Sequence, residues 1–205
     1  MIACAVALVL LVDVSGSVSD TNHRLQREGI AAALRDPALP RLASIEGALA
    51  VTLIEWDANS RTVLPWRVLQ TAEDFRLAAE AILAPGRSGM GLTMMGQALR
   101  AAIAAVPEAP CQADRVVIDV SGDGQSDDAV AEEVAFAAAA GWQINGLPIV
   151  TEAAPGVDDW YRQNVATPDG FTIVADGFES VARAMRRKVI FEVSLALGRL
   201  PAVED

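Results

Sequence analysis

Six runs rich in valine, isoleucine and leucine recur along this chain with helical patterns between most of them, and that alternation narrows the fold more than any other feature. The runs lie at about 4–12, 48–56, 62–66, 115–120, 143–150 and 171–175. The helical stretches lie at about 19–35, 72–83, 94–105, 128–140, 157–164 and 177–198. Strands joined through helices form a mainly parallel sheet with helices on both faces, so the expected architecture is a doubly wound, six-stranded α/β sheet. The second and third runs are separated only by Asp57 to Arg61, too few residues for a helical crossover. They should form an antiparallel hairpin whose third strand is an edge. Helix signals agree with this reading: Ser19 or Asp20 before the first helix, Thr71 with Asp74 before the second, Ser126 or Asp127 before the fourth, and Gly141 at its end.

A chain of 205 residues can bury one full α/β core, and residues 1–205 read as a single domain. With 52% apolar and 21% charged residues, a disordered chain is excluded. The net charge of -11 argues against sequence-independent nucleic-acid binding, which needs a basic surface to displace counterions. An anionic bilayer would repel the same surface. The apolar run from Ile2 to Val12 is shorter than the roughly 20 residues of a spanning helix and stops at Asp13, so no membrane span is expected. It also lacks the basic region and cleavage site of a secretory signal. If the protein is exported, its signal is already absent here, and Met1 would be a non-native start.

Chemistry concentrates where strands end. Asp13-Val14-Ser15-Gly16-Ser17 follows the first strand and leads into the first helix, where ligands bind in doubly wound sheets. Alone, this stretch also fits a polar turn with Ser17 or Ser19 capping the helix. The fourth strand ends in Ser121-Gly122-Asp123-Gly124 and again runs into a helix. A further hydroxyl, Thr93, stands among glycines at the start of the third helix, where it could equally be a cap. Hydroxyls and carboxylates without His or Cys make a hard oxygen set, suited to Mg²⁺, Mn²⁺ or Ca²⁺ and poorly to zinc.

These three segments resemble the von Willebrand factor A family, and the likeness extends over nearly the whole chain. That family carries a metal-ion-dependent adhesion site (MIDAS) made of an Asp-x-Ser-x-Ser loop, a distant Thr and an Asp after the fourth strand. The corresponding residues here are Asp13, Ser15, Ser17, Thr93 and Asp123. The runs "ALVLLVDVSGSVS", "LQREGIAAALRDP" and "RVVIDVSGDGQSDD" are similar, more narrowly, to a bacterial exported group of such domains without a known function. Two positions depart from the family pattern. Leu92 stands where many relatives have Gly before the Thr, and Gly122 where many have Thr or Ser before the Asp.

The resemblance implies that Ser15, Ser17 and Thr93 coordinate the ion, with Asp13 and Asp123 often acting through water. So little direct negative charge leaves the ion electrophilic, and an acidic group of a protein partner can complete its shell. The implied role is binding, not catalysis. The competing roles are a metal-assisted hydrolase or phosphotransferase using Asp13, and a structural subunit with a degenerate site. A dehalogenase-type phosphatase would need a second Asp where Ser15 stands, and the sequence holds neither a phosphate loop nor a nucleophile elbow. His23, the only histidine, reads as a surface or packing residue. Trp56, Trp66, Trp142 and Trp160 read as packing, and Arg183, Arg186, Arg187 and Lys188 as a solvated helix face.

In the family's fold the first and fourth strands are parallel neighbours, which would bring Cys4 and Cys111 to the end of the sheet opposite the metal loops. A disulfide between them is expected, the alternative being two buried free thiols. The bond would imply an oxidising compartment, most simply the periplasm.

Overall fold

The computed structural model describes residues 3–194. Its sheet has six strands in the order β3-β2-β1-β4-β5-β6. These are β1 (Ala3–Asp13), β2 (Ala48–Trp56), β3 (Ser60–Leu69), β4 (Gln112–Gly122), β5 (Gln143–Val150) and β6 (Ala175–Asp176). All neighbours pair in parallel except β2 and β3, the antiparallel hairpin at the edge. Pro65 is tolerated because β3 has no neighbour on its outer side.

Among the described residues seven α-helices surround the sheet: α1 (Asp20–Leu34), α2 (Ala38–Glu46), α3 (Ala72–Leu83), α4 (Met95–Ala105), α5 (Ala131–Ala139), α6 (Val157–Asn164) and α7 (Val181–Ser194). β1 is buried on both faces, and its side chains divide by parity. Val6, Leu8, Leu10 and Val12 join the core beneath α1, α3 and α7, whereas Val9 and Leu11 join the core beneath α4 and α6.

Ser19 caps α1 by accepting the Asn22 N–H, and Thr71 forms a capping box with Asp74 on α3. Gly141, at φ 71, takes the left-handed conformation that closes α5.

Three expectations are revised. α2 was not anticipated between 35 and 48; its Pro37 and Pro40 fall before and within the first turn, where no intrahelical N–H bond is lost. The sixth strand is cut to two residues plus a single bridge between Gly146 and Thr172, and the Phe171 N–H donates to Asn145 Oδ1 at 3.0 Å. Lys188 is fully buried, not solvated: it pairs with Asp119 Oδ1 at 2.6 Å and Glu192 Oε1 at 2.7 Å. The part of the expected last helix at 195–198 lies outside the described residues.

At the amino end of the sheet, Cys4 and Cys111 form the disulfide, with Cα atoms 5.9 Å apart. Register explains it: Ala3 pairs with Gln112, so both cysteines stand where β1 and β4 begin.

Candidate functional site

The connection leaves β1 for β2 on one side and returns to β4 on the other, so the carboxyl ends of β1 and β4 flank the topological switch point of the sheet. Asp13 is the last residue of β1, and its Oδ1 accepts the Ser15 N–H at 2.7 Å, which folds the loop back on the strand end. The Ser15 and Ser17 hydroxyl oxygens stand 3.2 Å apart. Ser17 Oγ donates to Asp123 Oδ1 at 2.6 Å, joining the first and third segments directly.

Thr93 is brought in by backbone. The Gly16 N–H donates to the Gly91 carbonyl at 2.9 Å, and a Cβ on Gly16 would stand 3.3 Å from the Met90 carbonyl oxygen. Thr93 Oγ1 lies 4.0 Å from where a Cβ on Gly124 would be, beside the turn that carries Asp123. Thr93 does not cap α4; the N-cap is Met94, without a side-chain bond. All five sequence-predicted oxygens therefore converge on one edge of the sheet. Asp13 and Ser15 are buried and Ser17 is exposed, which leaves the cluster open to solvent on one side.

Gly122 has a local reason. A Cβ there would fall 2.7 Å from Asp13 Oδ2 and 2.8 Å from the Tyr161 hydroxyl. The α6 tyrosine thus occupies the space beside Asp13 that a larger residue at 122 would need. Asp123 nevertheless keeps its contact with Ser17, so the departure at 122 does not remove it from the cluster.

Asp13 Oδ2 and the Tyr161 hydroxyl are both buried without a hydrogen-bond partner. Burial raises the Asp13 carboxyl to about 7 against the hydrogen bonds from Ser15, and the charge of Asp123 adds to the rise. Burial, with Asp13, Asp123 and Asp119 nearby, pushes the Tyr161 hydroxyl well above its usual range. A buried carboxylate oxygen without a donor is a place where a cation would be stabilising. Among the described residues no group of three or more His, Cys, Asp or Glu is arranged to hold a metal. Any ion here would depend on the hydroxyls beside two carboxylates. That donor set fits a hard divalent cation.

Residues that sequence reading gave no part in the site build its support. Ser126 or Asp127 was expected to cap the helix that follows the fourth strand, but α5 begins at Ala131 and its N-cap, Val130, makes no side-chain bond. Both, with Asp128, cap α4 instead. Asp127 Oδ2 accepts the Thr93 N–H at 2.8 Å, Ser126 Oγ the Met95 N–H at 3.1 Å, and Asp128 the N–H groups of Gly96 and Gln97. The segment after Asp123 therefore holds the segment of Thr93.

Two carboxylates at the end of β2 hold the rest of that loop. Asp57 Oδ2 accepts the Gly91 N–H at 2.8 Å, and Glu55 Oε2 accepts the Ser88 hydroxyl at 2.5 Å. A Cβ at Gly89 would collide with Asp57, which explains that glycine. Burial alone would raise Glu55, but hydrogen bonds from His23 and Ser88 and the charge of Arg27 take it below the usual carboxylate range. His23 is buried with its Nε2 2.5 Å from Glu55 Oε1. Ser88 bonds Glu55 and not His23, so the order of a Ser-His-acid triad is absent from these three residues. His23 lies in α1, Glu55 near the end of β2 and Ser88 after α3, so α2, β3 and α3 intervene in sequence between these partners.

A family model described as "Protein of unknown function (DUF1194)" matches residues 3–197. The chain belongs to this family. No curated protein matches the DUF1194 chain. Its fold is that of von Willebrand factor A domains. A von Willebrand factor type A structure from Catenulispora acidiphila is 13% identical, with TM-score 0.63 over 93% of this chain and 43% of that one. The vWF domain of the type V pili tip protein Mfa5 from Porphyromonas gingivalis is 12% identical, with TM-score 0.65 over 98% of both chains. Proximal thread matrix protein 1 from the mussel byssus, with a zinc-occupied MIDAS motif, is 14% identical, with TM-score 0.67 over 93% of this chain. The DUF1194 chain spans only 46% of the mussel protein. At such identities the likeness concerns the fold.

Proposed function

We propose that this DUF1194 chain is a metal-ion-dependent protein-binding module. Asp13, Ser15, Ser17, Thr93 and Asp123 would hold one divalent cation, which would supply an electrophilic position for an acidic group of a protein partner. The observation that carries the reading is the 2.6 Å bond from Ser17 to Asp123 beside a buried, partnerless Asp13 Oδ2. Two hydroxyls and two carboxylates from distant segments are already assembled there. Ser15, Ser17 and Thr93 would be the neutral donors, and Asp13 and Asp123 would balance the charge. Mg²⁺ or Mn²⁺ suits these oxygens, and Ca²⁺ is the further candidate. Zinc, disfavoured by the donor set alone, is what occupies the motif of the mussel protein.

The surrounding charge agrees with this division of labour. A chain of net charge -11 would repel an acidic partner unless a cation stood between them. The disulfide supports an oxidising location, and the pilus origin of Mfa5 is consistent with export to the periplasm or beyond. No helix among the described residues is long and apolar enough to cross a membrane. The role is binding in this reading and not catalysis.

The test is retention of partners from native envelope extract on the immobilised protein. Proteins retained with Mg²⁺, released by chelator and not retained by Asp13→Ala are expected. Equal retention by Asp13→Ala, or retention indifferent to chelator, would contradict the proposal.

A further inference from the structure

The loop from Arg87 to Thr93 is fastened along its length. Arg87 donates to the carbonyls of Val14 and Ser15 at 3.0 and 2.8 Å, Ser88 to Glu55, and Gly91 to Asp57, while the Gly91 carbonyl accepts from Gly16. Thr93 is fastened by Asp127. Yet Met90 and Leu92, on either side of Gly91, are 72% and 62% exposed. A backbone so held has no freedom to fold these side chains into the core. The other exposed large apolar residues, Ile45, Leu77, Leu83, Phe136 and Val174, are scattered over other elements and need no explanation singly. Met90 and Leu92 are different because their loop touches the Asp13–Ser17 loop and leads directly into Thr93.

The opposite flank has another character. Beyond β4, a cleft of about 530 Å³ at the ends of β5 and β6 carries three carboxylates, Glu152, Asp176 and Glu179, among a lining that also includes Asn22, Val150 and Phe178. An acidic partner segment would be repelled on that side and would meet apolar side chains on the side of Met90 and Leu92.

We infer that Met90 and Leu92 are a specificity-determining rim, and that the partner carries a carboxylate side chain with a large apolar side chain one or two residues from it. This rests on the metal-binding reading above and adds the chemistry that selects among carboxylates. Successive residues of an extended segment advance roughly 3.3 Å, so a side chain one or two residues from the carboxylate stays within reach of the loop next to Thr93. The departure at Leu92 thereby acquires a role: a glycine there would offer no apolar contact.

The experiment is selection from a peptide library with a fixed central Glu and randomised flanks on the Mg²⁺-loaded full chain, with elution by chelator. Met90→Ser/Leu92→Ser is run in parallel, and Mn²⁺ binding is measured for both by calorimetry. Enrichment of Leu, Ile, Met or Phe within two positions of the Glu on the wild type is expected. The double variant should bind the enriched peptides about tenfold or more weakly while keeping wild-type Mn²⁺ affinity. Chelator-eluted peptides with random, acidic or basic flanks would overturn the inference and leave the metal reading standing. Undiminished binding by the double variant would do the same. Absence of Mn²⁺ binding to the wild type would overturn both.

Discussion

The two ends of this sheet are built on opposite principles. At the amino end, Cys4, Ala7, Ala48, Ala50 and Cys111 form a small apolar cluster sealed by a covalent bond. At the carboxyl end, Asp13, Asp123, Glu55, Asp57 and their hydroxyl and amide donors form a polar network, partly buried and with one carboxylate oxygen lacking a partner. An apolar, covalently closed end contributes to stability and offers nothing to a ligand. At the carboxyl end Glu55 is paired with Arg27 and His23, but Asp13 and Asp123 gather negative charge with no cation beside them among the described residues, and that part of the network is arranged for something that is positive. Substitutions at the first end should therefore register in unfolding experiments, and substitutions at the second in binding.

The largest expected effect is at the amino end. Replacing both Cys4 and Cys111 by Ser removes a cross-link spanning 107 residues, which in the chain-entropy account lowers stability by as much as about 4.7 kcal/mol. Urea unfolding would read the loss, and the fraction still folded should bind Mn²⁺ as the wild type does. Loss of Mn²⁺ affinity in that folded fraction would break the separation of the two ends.

Next comes the middle of the sheet, where α7 delivers Lys188 and Glu192 to Asp119 and Asn145. Lys188→Met leaves two buried carboxyls without their cation and should cost about 3 kcal/mol. The low end of the range for broken buried pairs applies because burial already raises Asp119 to about 7, so one carboxyl readily takes up a proton. Thermal or urea unfolding checks this, and metal binding should again be unaffected. An unchanged midpoint would mean that the Lys188 pairing contributes nothing to holding α7.

How much of this contrast was legible in the sequence differs between the ends. The disulfide needed only the fold, because Cys4 and Cys111 precede strands that the family places side by side. The five oxygens were legible because each follows a strand or starts a helix in a short motif. Their supports were not. Glu55 and Asp57 read as the end of a strand and the start of a loop, and Ser126 or Asp127 as a cap for the following helix, because local capping rules cannot see that the start of α4 lies closer than α5. Tyr161 carries no signal at all, since its closeness to Gly122 depends on α6 packing against the end of β4. Lys188 looked solvated among three arginines, and only Asp119 across the sheet explains its burial. α2 was hidden by its prolines.

Smaller effects belong to the carboxyl end. Asp13→Ala should abolish metal binding and change the stability of the ion-free protein by no more than about 1 kcal/mol, since it removes one Asx hydrogen bond together with an uncompensated buried charge. Ser15→Ala should weaken binding by only about tenfold, because water can replace a hydroxyl donor. Calorimetric titration with Mn²⁺ would rank the two, and the reverse order would assign the ion to the serines without Asp13. Binding of Mg²⁺ should raise the stability of the wild type modestly, by about 2.7 kcal/mol at a hundredfold excess over Kd, without organising the core.

The most direct test is Mn²⁺ titration of the wild type and of Asp123→Ala by calorimetry, with circular dichroism on both metal-free proteins. The expected result is one saturable site in the wild type, none in Asp123→Ala, and the same folded spectrum for both. Wild-type affinity in Asp123→Ala would show that the Ser17–Asp123 contact is not part of the ion site, and an unfolded metal-free wild type would make the ion a structural element and contradict the division between the two ends.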